Sequence, residues 1–213
     1  MTVADRLQPV RDRIARAAKA AGRDPHDITL IAVSKTRSVE EIAALIAAGQ
    51  RDFGESRVQE AAEKWPALKQ GHPDVRLHMI GRLQSNKSAE AAALFDSVHS
   101  LDRPSLLDAL VQARFAGPCF VQVNVGEEAQ KGGVSIDDLP AFLEAVRSSP
   151  LPLAGLMAIP PLDAQPGPYF ALLAKLARRH GVSGLSMGMS ADYETAAMLG
   201  ATHVRVGSAL FED

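Results

Sequence analysis

Apolar residues along this chain follow two alternating spacings, one typical of helices and one typical of strands. Residues 3–21 place apolar side chains three and four positions apart, which predicts an amphipathic helix that Gly22 can end. Eight short apolar runs follow, and helical stretches separate them. The predicted strands are residues 29–34, 52–54, 75–81, 97–100, 119–125, 153–157, 184–187 and 203–206.

Polar and glycine residues mark the expected helix boundaries. Ser38 with Glu41, and Ser56 with Gln59, have the spacing of capping boxes, in which two side chains satisfy free backbone amides of the first turn. We therefore predict that a helix begins at each place. Glycines that suit left-handed helix ends are Gly49, Gly181 and Gly200.

Alternation of strands and helices predicts a parallel sheet with helices outside it. Eight such units favour closure into a barrel, whereas an open sheet predicts a glycine fingerprint after its first strand. Lys35, Thr36 and Arg37 occupy that position instead. The sequence therefore predicts the α/β class, with one (β/α)8 TIM barrel, an extra N-terminal helix and a single domain over residues 1–213.

The composition argues against several classes of protein. With a net charge of −2 and 5% aromatic residues, the chain has no feature of nucleic-acid binding. No apolar run is long enough to span a bilayer, and the N-terminus lacks the apolar core of a secretory signal. The lone Cys119 excludes an internal disulfide, and the six histidines show no metal-ligand spacing. We expect a cytoplasmic protein without metal, nucleic-acid or membrane partners.

Polar residues at the carboxyl ends of the predicted strands are the candidates for a functional site, because barrels of this class place their chemistry there. Lys35 follows the first strand, where partial burial would favour the neutral amine that attacks an aldehyde. The alternative is a lysine that extends to solvent at the barrel rim. In the fifth strand, alternation with valines places Gln122 and Asn124 inside the barrel, where their amides need a polar ligand or a hydrogen-bond network.

The connections after the seventh and eighth strands have the composition of a phosphate site. Such sites in this fold form there, on backbone amides at the start of a helix. Gly188 and Gly207 allow close approach of the backbone, and hydroxyl groups come from Ser186, Ser190 and Ser208. The alternative is that these glycines are only turn residues and these serines only helix caps.

Seven ordered segments between Ile31 and Phe211 carry a further signal: IAVSKTRSVEEI, FGESRVQEAAEKW, HMIGRLQSNK, FVQVNVGEEAQKGGV, GLMAIPP, LSMGMSADYETA and VRVGSALF. Together they resemble the signature segments of the pyridoxal phosphate homeostasis proteins. Three of these positions depart from the family pattern. Ser56 and Arg57 stand where Asn and an aromatic residue are usual, and Arg82 replaces a frequent Pro.

The resemblance implies a fold-type III, alanine-racemase-like barrel that lacks the racemase's second domain and binds pyridoxal 5′-phosphate (PLP). Lys35 would hold PLP as a Schiff base, the internal aldimine, and Arg205 would face the pyridine nitrogen. Asn124, which alternation directs inward, is a further predicted contact with the cofactor. The residues implied around the phosphate are Ser186, Met187, Ser190, Gly207 and Ser208.

Three functions agree with these residues. The one we favour is a monomeric, non-catalytic carrier that buffers PLP and delivers it to apo forms of PLP enzymes. The second is a PLP-dependent amino-acid racemase, but two-base racemisation needs an acid opposite the lysine, and Tyr169 and Tyr193 both lie in predicted helices. The third, a Schiff-base aldolase without cofactor, gives Arg205 no specific role.

Overall fold

The computed structural model describes residues 2–128, 130 and 132–211, and within them eight parallel strands close into a barrel. Each strand pairs with the next along the chain, and the last pairs with the first. The strands are β1 (Thr29–Val33), β2 (Asp52–Glu55), β3 (Arg76–Met79), β4 (Ser97–Leu101), β5 (Cys119–Gln122), β6 (Leu153–Met157), β7 (Gly184–Ser186) and β8 (His203–Val206). The predicted TIM barrel is confirmed, and the largest difference in a strand boundary is at β5, which ends at Gln122 rather than Val125.

Helices cover the outside of the barrel. They are α1 (Val3–Ala20), α2 (Val39–Ala47), α3 (Val58–Gly71), α4 (Ser88–Leu94), α5 (Pro104–Gln112), α6 (Leu139–Arg147), α7 (Pro166–Arg179), α8 (Tyr193–Met198) and α9 (Ser208–Phe211), with single 3-10 turns at Pro25–Asp27 and Ser85–Lys87. The extra N-terminal helix is α1, which packs against α2, α8 and α9 and buries Leu7, Val10 and Ile14. In the described ranges, no helix is long and apolar enough to cross a membrane.

The helix starts agree with the sequence at one capping box and differ at the other. Ser38 and Glu41 form the predicted box at the start of α2, with both reciprocal hydrogen bonds present. The predicted box at Ser56 is wrong, because Arg57 is the N-cap of α3 and no side-chain hydrogen bond caps this helix. Ser56 belongs to the turn that leaves β2 and lies one residue too early to cap the first turn. The predicted helix ends Gly49, Gly181 and Gly200 all have positive φ.

The two faces of the barrel strands carry different chemistry. Outward side chains such as Ala32, Phe53 and Val204 belong to the continuous apolar core between the strands and the helices. Burial of this layer stabilises the fold by about 25 cal/mol per Å² of apolar surface. Inward side chains include several buried polar groups, each of which needs a hydrogen-bond partner: His78, His99, Ser186 and Arg205.

Glu55, the last residue of β2, joins β1, β2 and α3. Its side chain is fully buried, and Oε1 accepts hydrogen bonds from Ser34 Oγ at 2.9 Å and Trp65 Nε1 at 3.0 Å. Lys64 Nζ forms an ion pair with the same oxygen at 2.9 Å. Lys64 also donates to the backbone oxygen of Ser34 at 3.0 Å. Because Ser34 directly precedes Lys35, this cluster fixes the end of β1 from which the Lys35 side chain extends.

Three histidine rings pack together inside the barrel. The ring centroids of His78 and His99 lie 5.1 Å apart, and the His203 ring lies 5.7 Å from that of His99. Phe120 stacks on His99 at a centroid distance of 4.3 Å. Burial holds the pKa of His99 well below its ordinary value and lowers the pKa of His203 to about 4, so both rings are neutral at pH 7.

Replacing Glu55 with Ala is expected to reduce the free energy of unfolding by about 2–3 kcal/mol, because Trp65 and Lys64 lose a buried acceptor. The loss is moderated because Lys64 keeps its ion pair with Glu60 at 2.8 Å. The control is Glu90→Ala, which removes an exposed carboxylate and should change stability by at most about 0.5 kcal/mol. Urea unfolding followed by circular dichroism measures both. Equal stability of the two variants would contradict the role of Glu55.

The neutral histidines predict a loss of stability in acid. Below about pH 6.5 the unfolded chain takes up protons at these positions, whereas His203 in the folded barrel takes one up only near pH 4. The free energy of unfolding should therefore fall as the pH decreases through this window, with His203 contributing at most about 3 kcal/mol. In urea titrations at each pH, His203→Gln should flatten this dependence, and the exposed His26→Gln should not. Identical pH dependence in both variants would show that His203 titrates normally.

Candidate functional site

The pairing of β1 with β8 brings the first and last strands of the chain side by side. Ile31 is in register with Arg205. Two positions further on, a Cβ atom built on Gly207 would lie 3.4 Å from Cβ of Val33. Lys35, two residues beyond Val33, therefore leaves the barrel beside the segment that carries Gly207.

A cavity of about 500 Å³ opens at this junction, on the side of the barrel where the strands end. Its volume is within the range of small-molecule sites. Six strands or the connections after them contribute to it, so only a closed barrel can assemble it. The lining residues are Val33, Lys35, Thr36, Arg37, Ser56, Ile80, Ile159, Met189, Ser190, Ala191, Arg205, Gly207 and Ser208.

The structure brings five of the eight predicted cofactor-binding residues to this cavity, namely Lys35, Ser190, Arg205, Gly207 and Ser208. The other three lie elsewhere. Ser186 is buried inside the barrel, and Met187 belongs to the apolar layer under the helices. Asn124 lies in the loop after β5, where its amide donates to the backbone oxygen of Glu128 at 2.9 Å and accepts from the Glu128 N–H at 3.2 Å.

Lys35 is more exposed than the sequence predicts. The expectation of partial burial is wrong, because the residue lies beyond the last residue of β1 and its side chain is exposed at the cavity. Thr36 follows with a φ of +63°, an unusual conformation for a β-branched residue. The Thr36 N–H donates to the Glu60 carboxylate, to which Lys64 also donates at 2.8 Å. Helix α3 therefore holds the turn that follows Lys35.

Backbone donors converge at the other side of the cavity. The N–H groups of Gly207 and Ala209 donate to Ser190 Oγ at 3.0 and 3.4 Å. The turn that carries Ser190 depends on Gly188, whose φ is +93° and where a Cβ atom would lie 2.5 Å from that of Ala196. Several donors thus point to one position at the cavity edge, an arrangement that suits an anionic group.

Arg205 supplies a buried cation to the cavity. The residue is 4% exposed, and burial lowers its pKa to about 10, so the guanidinium stays protonated at pH 7. Its Nη1 donates to Ser186 Oγ at 2.6 Å, and Nη2 donates to the backbone oxygen of Ala158 at 3.1 Å. A guanidinium can only donate, so a ligand group that faces it must be an acceptor.

The sequence did not identify several residues of this region. Ile80 and Ile159 line the cavity because they continue the inward faces of β3 and β6, and alternation extended past the strand ends would have found them. His99 lies below, with Nδ1 2.8 Å from Ser186 Oγ. No local signal identifies that contact, since it depends on packing across the barrel.

The arrangement suits a ligand with three chemical groups. Lys35 offers an amine for a carbonyl carbon, the donors around Ser190 suit an anion, and Arg205 requires an acceptor. PLP has an aldehyde, a phosphate and a pyridine nitrogen, so the residues present fit this cofactor. Within the described part of the chain, no group of His, Cys, Asp or Glu side chains could hold a metal ion.

The chain is similar to known proteins over almost its whole length. Residues 6–213 match the family model of the alanine racemase N-terminal domain. The pyridoxal phosphate homeostasis protein of Pseudomonas aeruginosa is 45% identical over 220 residues, which cover 99% of this chain and 95% of that protein.

Solved structures give the same result. PipY from Synechococcus elongatus, in its structure with PLP bound, matches with a TM-score of 0.84 and 34% identity, over 99% of this chain and 100% of that one. Alanine racemase from Corynebacterium glutamicum has a TM-score of 0.68 and 18% identity over 94% of this chain and 60% of that one, which shows a shared fold. The chain therefore belongs to the alanine racemase N-terminal domain family and, within it, to the pyridoxal phosphate homeostasis proteins.

Proposed function

We propose that the protein binds PLP covalently through Lys35, holds it in reserve and delivers it to apo forms of PLP enzymes. The observation that carries this proposal is a single cavity in which Lys35, Arg205 and the donors around Ser190 meet. Two relatives support it: the Pseudomonas aeruginosa protein is named for PLP homeostasis, and the PipY structure contains PLP.

Lys35 is the only primary amine among the described residues that line the cavity. In its neutral form Nζ adds to the aldehyde carbon, and loss of one water molecule leaves a C=N bond in place of the C=O bond. Water or another amine reverses this reaction and releases the aldehyde. The exposure of Lys35 leaves the bond open to such exchange, which suits a carrier.

Ser190, Gly207 and Ser208 are proposed to hold the phosphate. Ser190 Oγ accepts from the N–H groups of Gly207 and Ala209, so its own proton is left to donate to a phosphate oxygen. Each hydrogen bond to a charged group contributes about 1.5–3 kcal/mol. These contacts would retain the cofactor before Lys35 reacts with it and after the bond to Lys35 breaks.

Arg205 is proposed to donate to the pyridine nitrogen. Since its guanidinium keeps its protons, the nitrogen facing it stays unprotonated and the ring withdraws electrons weakly. Bound PLP supplies an electron sink for carbanion chemistry, and Arg205 weakens that sink compared with a carboxylate. A guanidinium as the partner of the pyridine nitrogen therefore suits storage of the cofactor better than catalysis with it.

The cavity wall offers no second group suited to proton exchange. Among the described lining residues the ionisable ones are Lys35, Arg37 and Arg205, and arginines keep their protons at neutral pH. Neither tyrosine lines the cavity: Tyr193 is buried in α8, and Tyr169 lies in α7. Amino-acid racemisation is the second candidate function, and it lacks here the acid that it needs opposite the lysine.

We extend the proposal to a cytoplasmic monomer that forms a single domain over residues 1–213. Cys119 is free and buried, which suits a reducing compartment. The match to alanine racemase spans 60% of that longer chain, and the monomer is proposed for the barrel that matches. The partners proposed are PLP itself and the apoenzymes that receive it.

Incubation with PLP should give the protein a visible absorbance band, and borohydride should then fix the mass of the reduced cofactor on Lys35. Lys35→Ala should lose the band and the label and bind PLP at least about a hundredfold more weakly, because the covalent bond is lost. The control is Lys175→Ala, an exposed lysine of α7, which should behave as the wild type. Peptide mass spectrometry locates the label. A colourless, unlabelled wild type would reject the proposal and favour the aldolase alternative.

The loaded protein should restore activity to an aminotransferase prepared without cofactor, because the exposed Lys35 can release PLP. It should not interconvert L- and D-alanine at the rate of an ordinary enzyme, about 1–10³ per second. A chiral amino-acid assay and a coupled aminotransferase assay measure the two properties. Racemisation within that range would identify an enzyme, and failure to restore the aminotransferase would remove delivery from the proposal.

A further inference from the structure

Arg205 is a buried cation whose hydrogen-bond partners are uncharged, although the Asp192 carboxylate acts on it electrostatically and raises its pKa against the larger, lowering effect of burial. Its guanidinium donates to Ser186 Oγ and to the backbone oxygen of Ala158, both of which are uncharged. In the part of the chain that the structure describes, no carboxylate forms an ion pair with it. A buried charge in such surroundings carries a large desolvation cost, so compensation is expected further along the network.

The network continues from Ser186 across the inside of the barrel. Ser186 Oγ lies 2.8 Å from His99 Nδ1, and His99 Nε2 lies 3.0 Å from His78 Nδ1. His78 Nε2 lies 2.9 Å from Oδ1 of Asp52. Asp52 begins β2, so the chain of hydrogen bonds runs from the cavity to the opposite end of the barrel, where Arg76 donates to Asp52 Oδ2 at 2.7 Å.

Donor chemistry gives the first half of this chain its direction. Arg205 can only donate, so Ser186 Oγ accepts from it. Among the described residues, His99 Nδ1 is the one acceptor within hydrogen-bond distance of this hydroxyl, so we assign the Ser186 proton to His99 Nδ1. His99 is neutral, because burial, together with electrostatic repulsion that a second proton would meet from Arg205 and the neighbouring histidines, holds its pKa well below the ordinary value. Its single proton must therefore lie on Nε2, which faces His78.

The second half follows the same direction. His78 Nδ1 accepts from His99 Nε2 and therefore carries no proton, so the ring proton lies on Nε2 and is donated to Asp52. Burial acts to raise the pKa of Asp52, but hydrogen bonds from His78 and Arg76 outweigh it and lower that pKa, so the chain ends on a carboxylate. Every hydrogen bond between Arg205 and Asp52 thus points from the cation toward the anion.

A chain of this kind has two physical consequences. Aligned hydrogen bonds polarise one another in a low-dielectric interior, so each bond of the chain strengthens its neighbours between Asp52 and Arg205. The Ser186 hydroxyl is also fixed at both ends, which holds Nη1 of Arg205 in place. The N–H groups of the guanidinium that donate neither to Ser186 nor to Ala158 are left for a ligand of the cavity that Arg205 lines.

We propose that the chain from Asp52 through Ser186 is a positioning device, which fixes the Arg205 guanidinium so that it presents a donor to the ring nitrogen of PLP. The proposal rests on the proposed function, because that function assigns PLP to the cavity. His78, His99, Ser186 and Asp52 are thereby positioning residues that act through Arg205.

His203 distinguishes positioning from packing. It belongs to the same ring cluster, with its centroid 6.3 Å from that of His78, but its Nδ1 lies 2.9 Å from Thr202 Oγ1 and it takes no part in the chain. Replacing either His99 or His203 removes a ring from the cluster, so an effect of packing should appear in both variants. Replacing His99 also breaks the chain of hydrogen bonds to Arg205, so an effect on Arg205 should appear in that variant alone.

Nitrogen-15 NMR tests the direction of the chain in the protein without added PLP. At pH 7 the rings of His78 and His99 should both be neutral and protonated at Nε2. A proton on Nδ1 of either ring, or a doubly protonated ring, would overturn the proposal. Because this measurement needs no cofactor, it separates failure of the chain from failure of the proposed function.

PLP titrations test whether the chain acts through Arg205. Ser186→Ala removes the bridging hydroxyl with little change in volume, and it should raise the Kd for PLP about tenfold and shift the visible band. In an Arg205→Met background the same change should add nothing, since the group it positions is absent. His99→Phe, which can keep its stacking on Phe120, should reproduce the effect of Ser186→Ala, and His203→Gln should not.

Two results for Ser186→Ala would overturn the positioning role. One is an unchanged Kd for PLP and an unchanged visible band, and the other is an effect of the same size in the Arg205→Met background. Equal effects of His99→Phe and His203→Gln would assign the histidines to packing and overturn it as well. If the wild type binds no PLP, the proposed function fails, and the NMR result alone decides whether the chain exists.

Discussion

Closure of the sheet between β1 and β8 is the contact on which the site depends. The two strands come from opposite ends of the chain, and their register sets Ile31 beside Arg205. Lys35 and Gly207 consequently leave the barrel as neighbours. Such a contact has a high loop-closure cost and forms only when the intervening units are packed. The cavity is therefore a property of the complete barrel, and no single βα unit can contain it.

The outer layer and the interior of the barrel contribute differently to stability. Its outer layer is apolar and joins strands to helices, so it can carry the hydrophobic contribution to folding. Its interior holds charged and polar groups such as Arg205, His99 and Asp52, which add little net stability and must satisfy one another. A polar interior of this size is tolerated because the chain of hydrogen bonds is nearly complete. Because each residue of this chain is hydrogen-bonded to the next, the position of each one depends on its neighbours.

The sequence predicted the barrel because each unit repeats a local signal: an apolar run, a helical spacing and a turn. It predicted much of the cavity for the same reason, since Lys35, Arg205 and Ser190 follow strand ends. Local signals failed where a residue's surroundings come from elsewhere in the chain. The exposure of Lys35 depends on how far β1 extends, which the apolar run overestimates by one residue.

Residues inside the barrel show the same limit more strongly. Ser186 resembles a phosphate ligand in sequence because it precedes a glycine-containing turn, yet its hydroxyl is already bonded to His99 and Arg205. Met187 follows it and belongs to the outer layer, as period-two alternation from Ser186 requires. Asn124 has an inward position by the same rule, but the loop after β5 folds back and satisfies its amide. Hydrogen bonds made in the folded chain determine these positions, and local sequence patterns do not predict such bonds.

These features together favour holding a cofactor over using it. A turnover enzyme must stabilise a transition state more strongly than its bound ligand, and proton transfer usually requires a second positioned acid or base. Here hydrogen bonds hold Arg205 below the cavity and the backbone N–H groups near Ser190. The amine of Lys35, by contrast, is exposed on a turn held from outside by Glu60. On the proposed function, a ligand held at its ring and its anionic group, and attached through an accessible reversible bond, would be retained until another amine competes for it.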